Sequence, residues 1–173
     1  MKMIFALTLG TVVLSGCASL PGSNAAVAQL APTQGNVATG QVSFVQQQGQ
    51  VVVKAEIDGL SPGLHGFHIH EKGDCSPPDA TAAGGHFNPG GKVHGAPGQT
   101  VHHAGDLGNL LANASGHASF KLSVPEQEIT LAQNAPNSIV GRALIVHASP
   151  DDLQGQPAGN SGKRIACGVI RLH

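Results

Sequence analysis

The sequence predicts an all-β protein of about eight short antiparallel strands, arranged as a sandwich or barrel. Two observations carry that expectation. Short apolar runs, several of them alternating with polar residues, recur along the chain and are separated by turn signals. Gly reaches 24 among 173 residues while Trp and Tyr are absent, a composition of turns and small side chains rather than of long helices. The length suits one domain with a real core. A formal net charge of −1 excludes a strongly basic surface and speaks against a nucleic-acid partner. Any attraction for a small anion must therefore come from local charges.

Residues 1–16 read as an export signal. Lys2 supplies a positive charge, and Met3 to Leu14 is mostly apolar yet shorter than the roughly 20 residues a membrane span needs. Leu14-Ser15-Gly16-Cys17 resembles a bacterial lipobox, so Cys17 is expected to carry lipid after cleavage. Residues 17–25 then form a small, polar tether ahead of a domain over 26–173. Cleavage removes Lys2 and no acidic residue, which moves the formal charge from −1 to −2.

Gln41 to Val45 and Gln50 to Ile57 alternate polar and apolar around Gln47-Gln48-Gly49, the pattern of a hairpin. Asp58-Gly59 and Ser61-Pro62-Gly63 punctuate the chain before a short run from Leu64 to His70. From Glu71 to His103 no strand or helix pattern survives. A loop of that length belongs in a compact domain only when it is functional and something else orders it. It carries His86, His94 and His103, so a metal ion could supply the order. Strands return at about Leu107 to Leu111, His117 to Ser123, Ala143 to Ala148 and Ala166 to Leu172. A second Gly/Pro/Asn-rich loop, about Pro150 to Lys163, precedes the last of them.

The histidines carry the chemistry. His68 and His70 lie two apart on a strand and so face the same side, where both imidazoles can reach one ion. His103-Ala104-Gly105-Asp106 brings an imidazole and a carboxylate together through a tight turn. His147 ends the apolar run Ala143 to Val146. Three His and one Asp suit zinc, and an all-imidazole set suits copper. Two four-coordinate sites need eight ligand positions, yet the candidates His68, His70, His86, His94, His103, Asp106 and His147 number seven. Either one site is left open or one histidine bridges with both ring nitrogens; spacing leaves several partitions open.

The other histidines read differently. His65 lies an odd number of residues from His68 and reads as structural. The His-x-x-Asp pattern selects His103 over His102, while His117 and His173 show no partner and read as solvated. A blue-copper carrier would need a Cys thiolate and usually an axial Met, and the only methionines are Met1 and Met3. A binuclear zinc hydrolase would carry more carboxylates near its metals. With Cys17 lipidated, Cys75 and Cys167 remain as a pair in a compartment that permits a disulfide.

Four segments resemble those of Cu,Zn superoxide dismutases, in the same order. They are Leu64-His65-Gly66-Phe67-His68-Ile69-His70-Glu71, Gly85-His86-Phe87-Asn88-Pro89, His103-Ala104-Gly105-Asp106-Leu107-Gly108-Asn109 and Arg164-Ile165-Ala166-Cys167-Gly168-Val169-Ile170. The likeness runs from about Ala26 to the C-terminus and, with the lipobox, points to the bacterial, lipoprotein-type branch. It implies an eight-stranded antiparallel Greek-key barrel or sandwich with two long functional loops.

The resemblance also implies one copper on His68, His70, His86 and His147, and one zinc on His86, His94, His103 and Asp106, with His86 as the bridge. Asp151 matches the residue that links the two sites by accepting hydrogen bonds from ligand histidines. Arg164 matches a cationic fork beside the open copper face, and Cys75–Cys167 matches a disulfide that ties the metal loop to the last strand. The implied reaction converts superoxide to oxygen and hydrogen peroxide by alternate reduction and reoxidation of copper, with His86 and Arg164 as catalytic residues. The implied setting is a bacterial cell envelope, facing the periplasm, with membrane attachment only through lipid on Cys17, as a monomer or homodimer. Two departures stand out. Cys75 and His86 lie eleven positions apart with Pro77-Pro78 between them, resembling the longer subloop of bacterial members. Leu153 to Lys163 holds no acidic residue and only Lys163 as a base, so the acid-and-lysine arrangement of eukaryotic members is absent.

Overall fold

Between Gln41 and Asp58 the side chains alternate between core and solvent, as a pleated strand with one dry face requires. Val42 and Phe44 are buried on the first arm of the hairpin, and Val51, Val53, Ala55 and Ile57 on the second. Gln48 and Gly49, both at positive φ, turn the chain between them. The computed structural model describes residues 24–173; the export signal and Cys17 lie outside the described residues.

The strands are β1 (Ala25–Pro32), β2 (Thr39–Gln47), β3 (Gln50–Asp58), β4 (Gly63–His70), β5 (Asp106–Ala112), β6 (Ala118–Pro125), β7 (Ala143–His147), β8 (Arg164–Val169) and the two-residue β9 (Arg171–Leu172). Their spatial order is β5-β4-β7-β8-β1-β2-β3-β6, with β9 also on β1, and every pairing is antiparallel. The pairings of β3 with β6 and β4 with β7 are crossovers of the Greek-key kind. The two ends of the path, β5 and β6, are joined by a turn in which Asn113 N–H donates to His117 O and Gly116 N–H to Asn113 O. The sheet thus comes nearly round on itself as a barrel, which leaves little free strand edge.

β1 has no counterpart among the strands expected from the sequence. Its inward residues are Ala26, Ala28 and Leu30, and alanine has little strand preference of its own. The strand forms because it is needed on both sides: Ala25 to Leu30 pair with β2, and Ala31 and Pro32 pair with β8. Most of the tether expected over 17–25 lies outside the described residues, and Ala25, its last residue, is the first of β1.

Phe44, Phe67, Ile57, Ile69, Leu110 and Leu144 are among the fully buried side chains of the barrel core, where Phe67 meets Phe120 edge to face at 5.4 Å between ring centres. Residues 71–105 contain no strand and only a short 3₁₀ turn at Thr81–Ala83, so backbone hydrogen bonds outside the strands hold them. Ile69 N–H donates to Gly105 O, Phe87 N–H to Ile69 O and Gly105 N–H to Phe87 O, which ties three distant segments into one knot. Gly105 has to be glycine there, because a Cβ would strike Ile69 O. The loop is anchored again by the Cys75–Cys167 disulfide, with Cα atoms 5.7 Å apart across a sequence separation of 92.

At the opposite sheet edge His117 is not the unpartnered side chain expected from sequence. Its Nδ1–H donates to Asp58 Oδ1 at 2.8 Å, and its Nε2 lies 3.2 Å from Glu56 Oε2. The hydrogen bond to Asp58 raises its pKa above the ordinary value, with Glu56 adding to the effect. A raised folded-state value means the pairing supports the fold fully below the ordinary histidine pKa and fades as pH climbs through the raised one. An NMR titration is expected to place His117 above the ordinary value, and Asp58→Asn to bring it down; equal values in both proteins would refute the pairing.

Candidate metal centre

Neighbouring strands set half of the centre. β4 contributes His68 and His70, and β7, hydrogen-bonded beside it, ends in His147. Asp106 opens β5 on the other side of β4. The long loop brings His86, His94 and His103, and the isolated pairing of His70 with His86 fixes where it crosses the barrel. All seven side chains are buried.

They form two groups. One ligand atom from each of His68, His70, His86 and His147 lies within 4.8 Å of the others, and the same holds for His86, His94, His103 and Asp106. His86 belongs to both. The seven candidates therefore fill eight positions by one shared imidazole.

Most of these rings have one nitrogen tied to an oxygen on the outside. His68 Nε2–H donates to Asp151 Oδ2 at 2.8 Å and His94 Nε2–H to Asp151 Oδ1 at 2.9 Å. His70 Nδ1–H donates to Gly84 O at 2.9 Å and His147 Nδ1–H to Gly162 O at 3.1 Å. That leaves the other nitrogens facing inward. His68 Nδ1, His86 Nε2 and His94 Nδ1 are buried without a hydrogen-bond partner; His94 Nδ1 lies 3.1 Å from Asp106 Oδ1 without the alignment of one. A buried polar atom left unpaired costs about 1–3 kcal/mol, and native structures keep few of them. Converging lone pairs of this kind fit metal ions, an all-nitrogen set for copper and an N₃O set for zinc.

The protonation states agree. Burial, followed by repulsion from His86, pushes His68 and His70 well below the ordinary imidazole range, and burial brings His147 down to about 4. Burial also lowers His103. These rings are neutral at pH 7, as metal ligands must be. Burial opposes ionisation of Asp106, yet the hydrogen bond and charge of His86 and the His103 backbone N–H hold it down at about 2. For His94, burial is outweighed by Asp151 and Asp106, and its pKa rises.

Asp151 is itself held: its N–H donates to Asn109 Oδ1 at 2.7 Å, and Asn109 Nδ2–H donates to its carbonyl at 2.9 Å. Arg164 donates from its two terminal nitrogens to Ala80 O and Gly84 O, both at 2.6 Å. The Gly84 carbonyl thus orients both His70 and Arg164. Arg164 shares a cavity of about 250 Å³ with His70, His86 and His147. A larger cleft of about 620 Å³ lies against Arg164 and Lys163 but contains no imidazole.

Of the remaining histidines, His65 is buried, with Nδ1 2.8 Å from His147 O and Nε2 2.8 Å from Ser61 O. His102 is buried and donates from Nδ1 to His103 O at 2.7 Å, with Nε2 3.3 Å from Glu128. Neither joins a ligand group. His173, at the end of the chain, is tied to β1 by its backbone N–H, which donates to Ala25 O. Asn109 and Gln156 also touch the centre's framework; in the sequence Asn109 has a place in a resembling segment but no role, and Gln156 shows no signal at all.

Residues 38–170 match the family model described as copper/zinc superoxide dismutase. An extracellular superoxide dismutase [Cu-Zn] of Brugia pahangi is 41% identical over 156 residues, covering 85% of this chain and 75% of the relative. Among solved structures, the crystal structure of the clock protein EA4 matches with a TM-score of 0.80 and 37% identity, covering 90% of this chain and 99% of that one.

Replacing Asp151 with Ala removes the acceptor shared by His68 and His94. The expected result is a folded protein whose metal affinity falls roughly 10- to 100-fold, measured by competition with a chelator; unchanged affinity would show that the carboxylate does not orient the rings.

Proposed function

The chain belongs to the copper/zinc superoxide dismutase family, and on that premise we propose the following assignment of its residues. His68, His70, His86 and His147 hold copper; His86, His94, His103 and Asp106 hold zinc; and His86 bridges the two. The protein is an oxidoreductase that disproportionates superoxide to oxygen and hydrogen peroxide. The observation that carries the residue assignment is the sharing of His86 between two buried groups whose other rings point one nitrogen inward.

Copper, when bound, supplies the one-electron couple that superoxide alternately reduces and reoxidises, and zinc supplies a fixed charge that keeps its oxidation state. The chain's own residues do the rest. Arg164 is locked by two carbonyls on one side, and its remaining N–H donors offer a planar, always charged fork to a small anion in the cavity it shares with His86. With the metals bound, His86 Nε2 would be the proton site: whenever copper does not occupy it, it would hold a proton and pass it to the peroxide product, with water supplying the second proton. Asp151 keeps His68 and His94 in the tautomer that leaves Nδ1 free. Burial of the imidazoles keeps bulk water from competing for the inward nitrogens.

Export is read from Lys2 and the apolar segment after it, and the extracellular name of the Brugia pahangi relative is in keeping with it. Attachment to a bacterial envelope membrane through lipid on Cys17, facing the periplasm, rests on Leu14-Ser15-Gly16-Cys17. No helix among the described residues is long and apolar enough to cross a membrane.

The direct test loads the protein with copper and zinc and measures metal stoichiometry and superoxide removal together; one ion of each per chain with no activity would overturn the mechanism. Arg164→Ala should keep both ions and lower the rate by about tenfold or more, and unchanged kinetics would remove Arg164 from the mechanism. Cys17→Ser should release the protein from membranes on fractionation, whereas continued retention would rule out the lipid anchor.

A further inference from the structure

We propose that Gln156 is a positioning residue that couples the wall of the copper-side cavity to His94 on the zinc side; this rests on the metal assignment above. Gln156, Pro157, Ala158, Asn160, Ser161 and Gly162 form one wall of the cavity that holds His70, His86, His147 and Arg164. The wall belongs to residues 150–163, which contain no strand or helix.

Within that segment the tip is tied to itself. The Asp152 carboxylate accepts Gln154 N–H, Gly155 N–H and Asn160 Nδ2–H, and Asp152 N–H donates to Gly159 O. Residues 152–160 therefore form a small closed body. Among the described residues, the hydrogen bonds that join it to anything outside 150–163 are two, and both belong to Gln156. His94 N–H donates to Gln156 Oε1 at 2.9 Å, and Gln156 Nε2–H donates to His94 O at 3.0 Å. The side-chain amide pairs with the His94 backbone as a neighbouring strand would.

The chemistry of the pin is specific. An amide carries a separate acceptor and donor, side by side, that match the N–H and the C=O of one residue. A glutamate at the same reach keeps only the acceptor half, and an asparagine is one methylene too short. The same segment touches His94 twice more. Asp151 accepts its Nε2–H, and Gly159, at φ +65°, sits so close over the Asp151–His94 pair that a Cβ there would strike both. His94 thus presents its inward Nδ1 to the zinc group while its backbone carries the cavity wall. Fixing that ring with an ion fixes the wall, and Gln156 transmits the order.

The test is hydrogen exchange on residues 152–160 of the full chain, zinc-loaded and metal-free, in the wild type, Gln156→Ala and Gln156→Glu. Zinc release to a chelator and copper affinity are followed alongside. With zinc bound, Gln156→Ala is expected to raise exchange of the segment and speed zinc release by about tenfold, the scale of one net hydrogen bond. Gln156→Glu should be intermediate, copper affinity unchanged, and metal-free exchange the same in all three proteins. Equal exchange in zinc-loaded wild type and Gln156→Ala, or the same increase with and without zinc, would overturn the coupling while leaving the metal assignment intact. A wild-type chain that takes up no zinc would overturn the assignment and the coupling with it.

Discussion

A buried imidazole has two nitrogens, and both need an answer. In this protein the outer nitrogen of His68, His70, His94 and His147 is answered by a fixed oxygen, from the Asp151 carboxylate or the Gly84 and Gly162 carbonyls. The architecture around the centre is organised by that need. Two of the long segments without strands, 71–105 and 148–163, bring those oxygens to the rings of His68, His70 and His147 that the barrel has already placed, and the second also brings one to His94 on the first; unpaired polar atoms at such depth are costly. Gly84 O serves His70 and Arg164 at once, so a single peptide sets the orientation of the His70 ring and of the Arg164 guanidinium.

The centre divides by the stiffness of what carries it. His68, His70 and His147 come from adjacent strands whose register is fixed by the ladder between β4 and β7, and Asp106 begins β5. His86, His94 and His103 ride on a segment held by a few backbone hydrogen bonds, a disulfide and side-chain clamps. Sites on strands hold geometry more tightly than sites on loops. The side that holds His68, His70 and His147 is accordingly built by the fold, and the side that holds His94 and His103 closes the loop onto it.

Much of this is legible in the sequence for identifiable reasons. The β2–β3 hairpin shows because its core residues are large and alternate, whereas β1 is hidden because its inward residues are mainly alanine. The seven ligand candidates stand out as histidines and an aspartate in turn-rich surroundings, and their number already demanded either an open site or a bridge. Which side each residue takes is not in the spacing, because the loop histidines reach their places only after the chain has crossed the barrel. Asn109 and Gln156 were silent for another reason. Their partners are backbone groups of Asp151 and His94, 42 and 62 residues away, and a backbone acceptor leaves no mark in a sequence. His117 escaped for a different reason: its partners are carboxylate side chains on β3, which become neighbours only once β3 and β6 are paired.

The Cys75–Cys167 bond closes a covalent ring, and the three long strandless segments lie largely inside it, 71–105 from residue 76 onward and 126–142 and 148–163 entirely. These are the stretches that a protease would reach most easily. A single cut in any of them inside the ring leaves the chain as one covalent molecule with both halves of the barrel still attached. Nicked protein would migrate as two pieces only after reduction, and before it would keep its metal-binding histidines on a single connected chain.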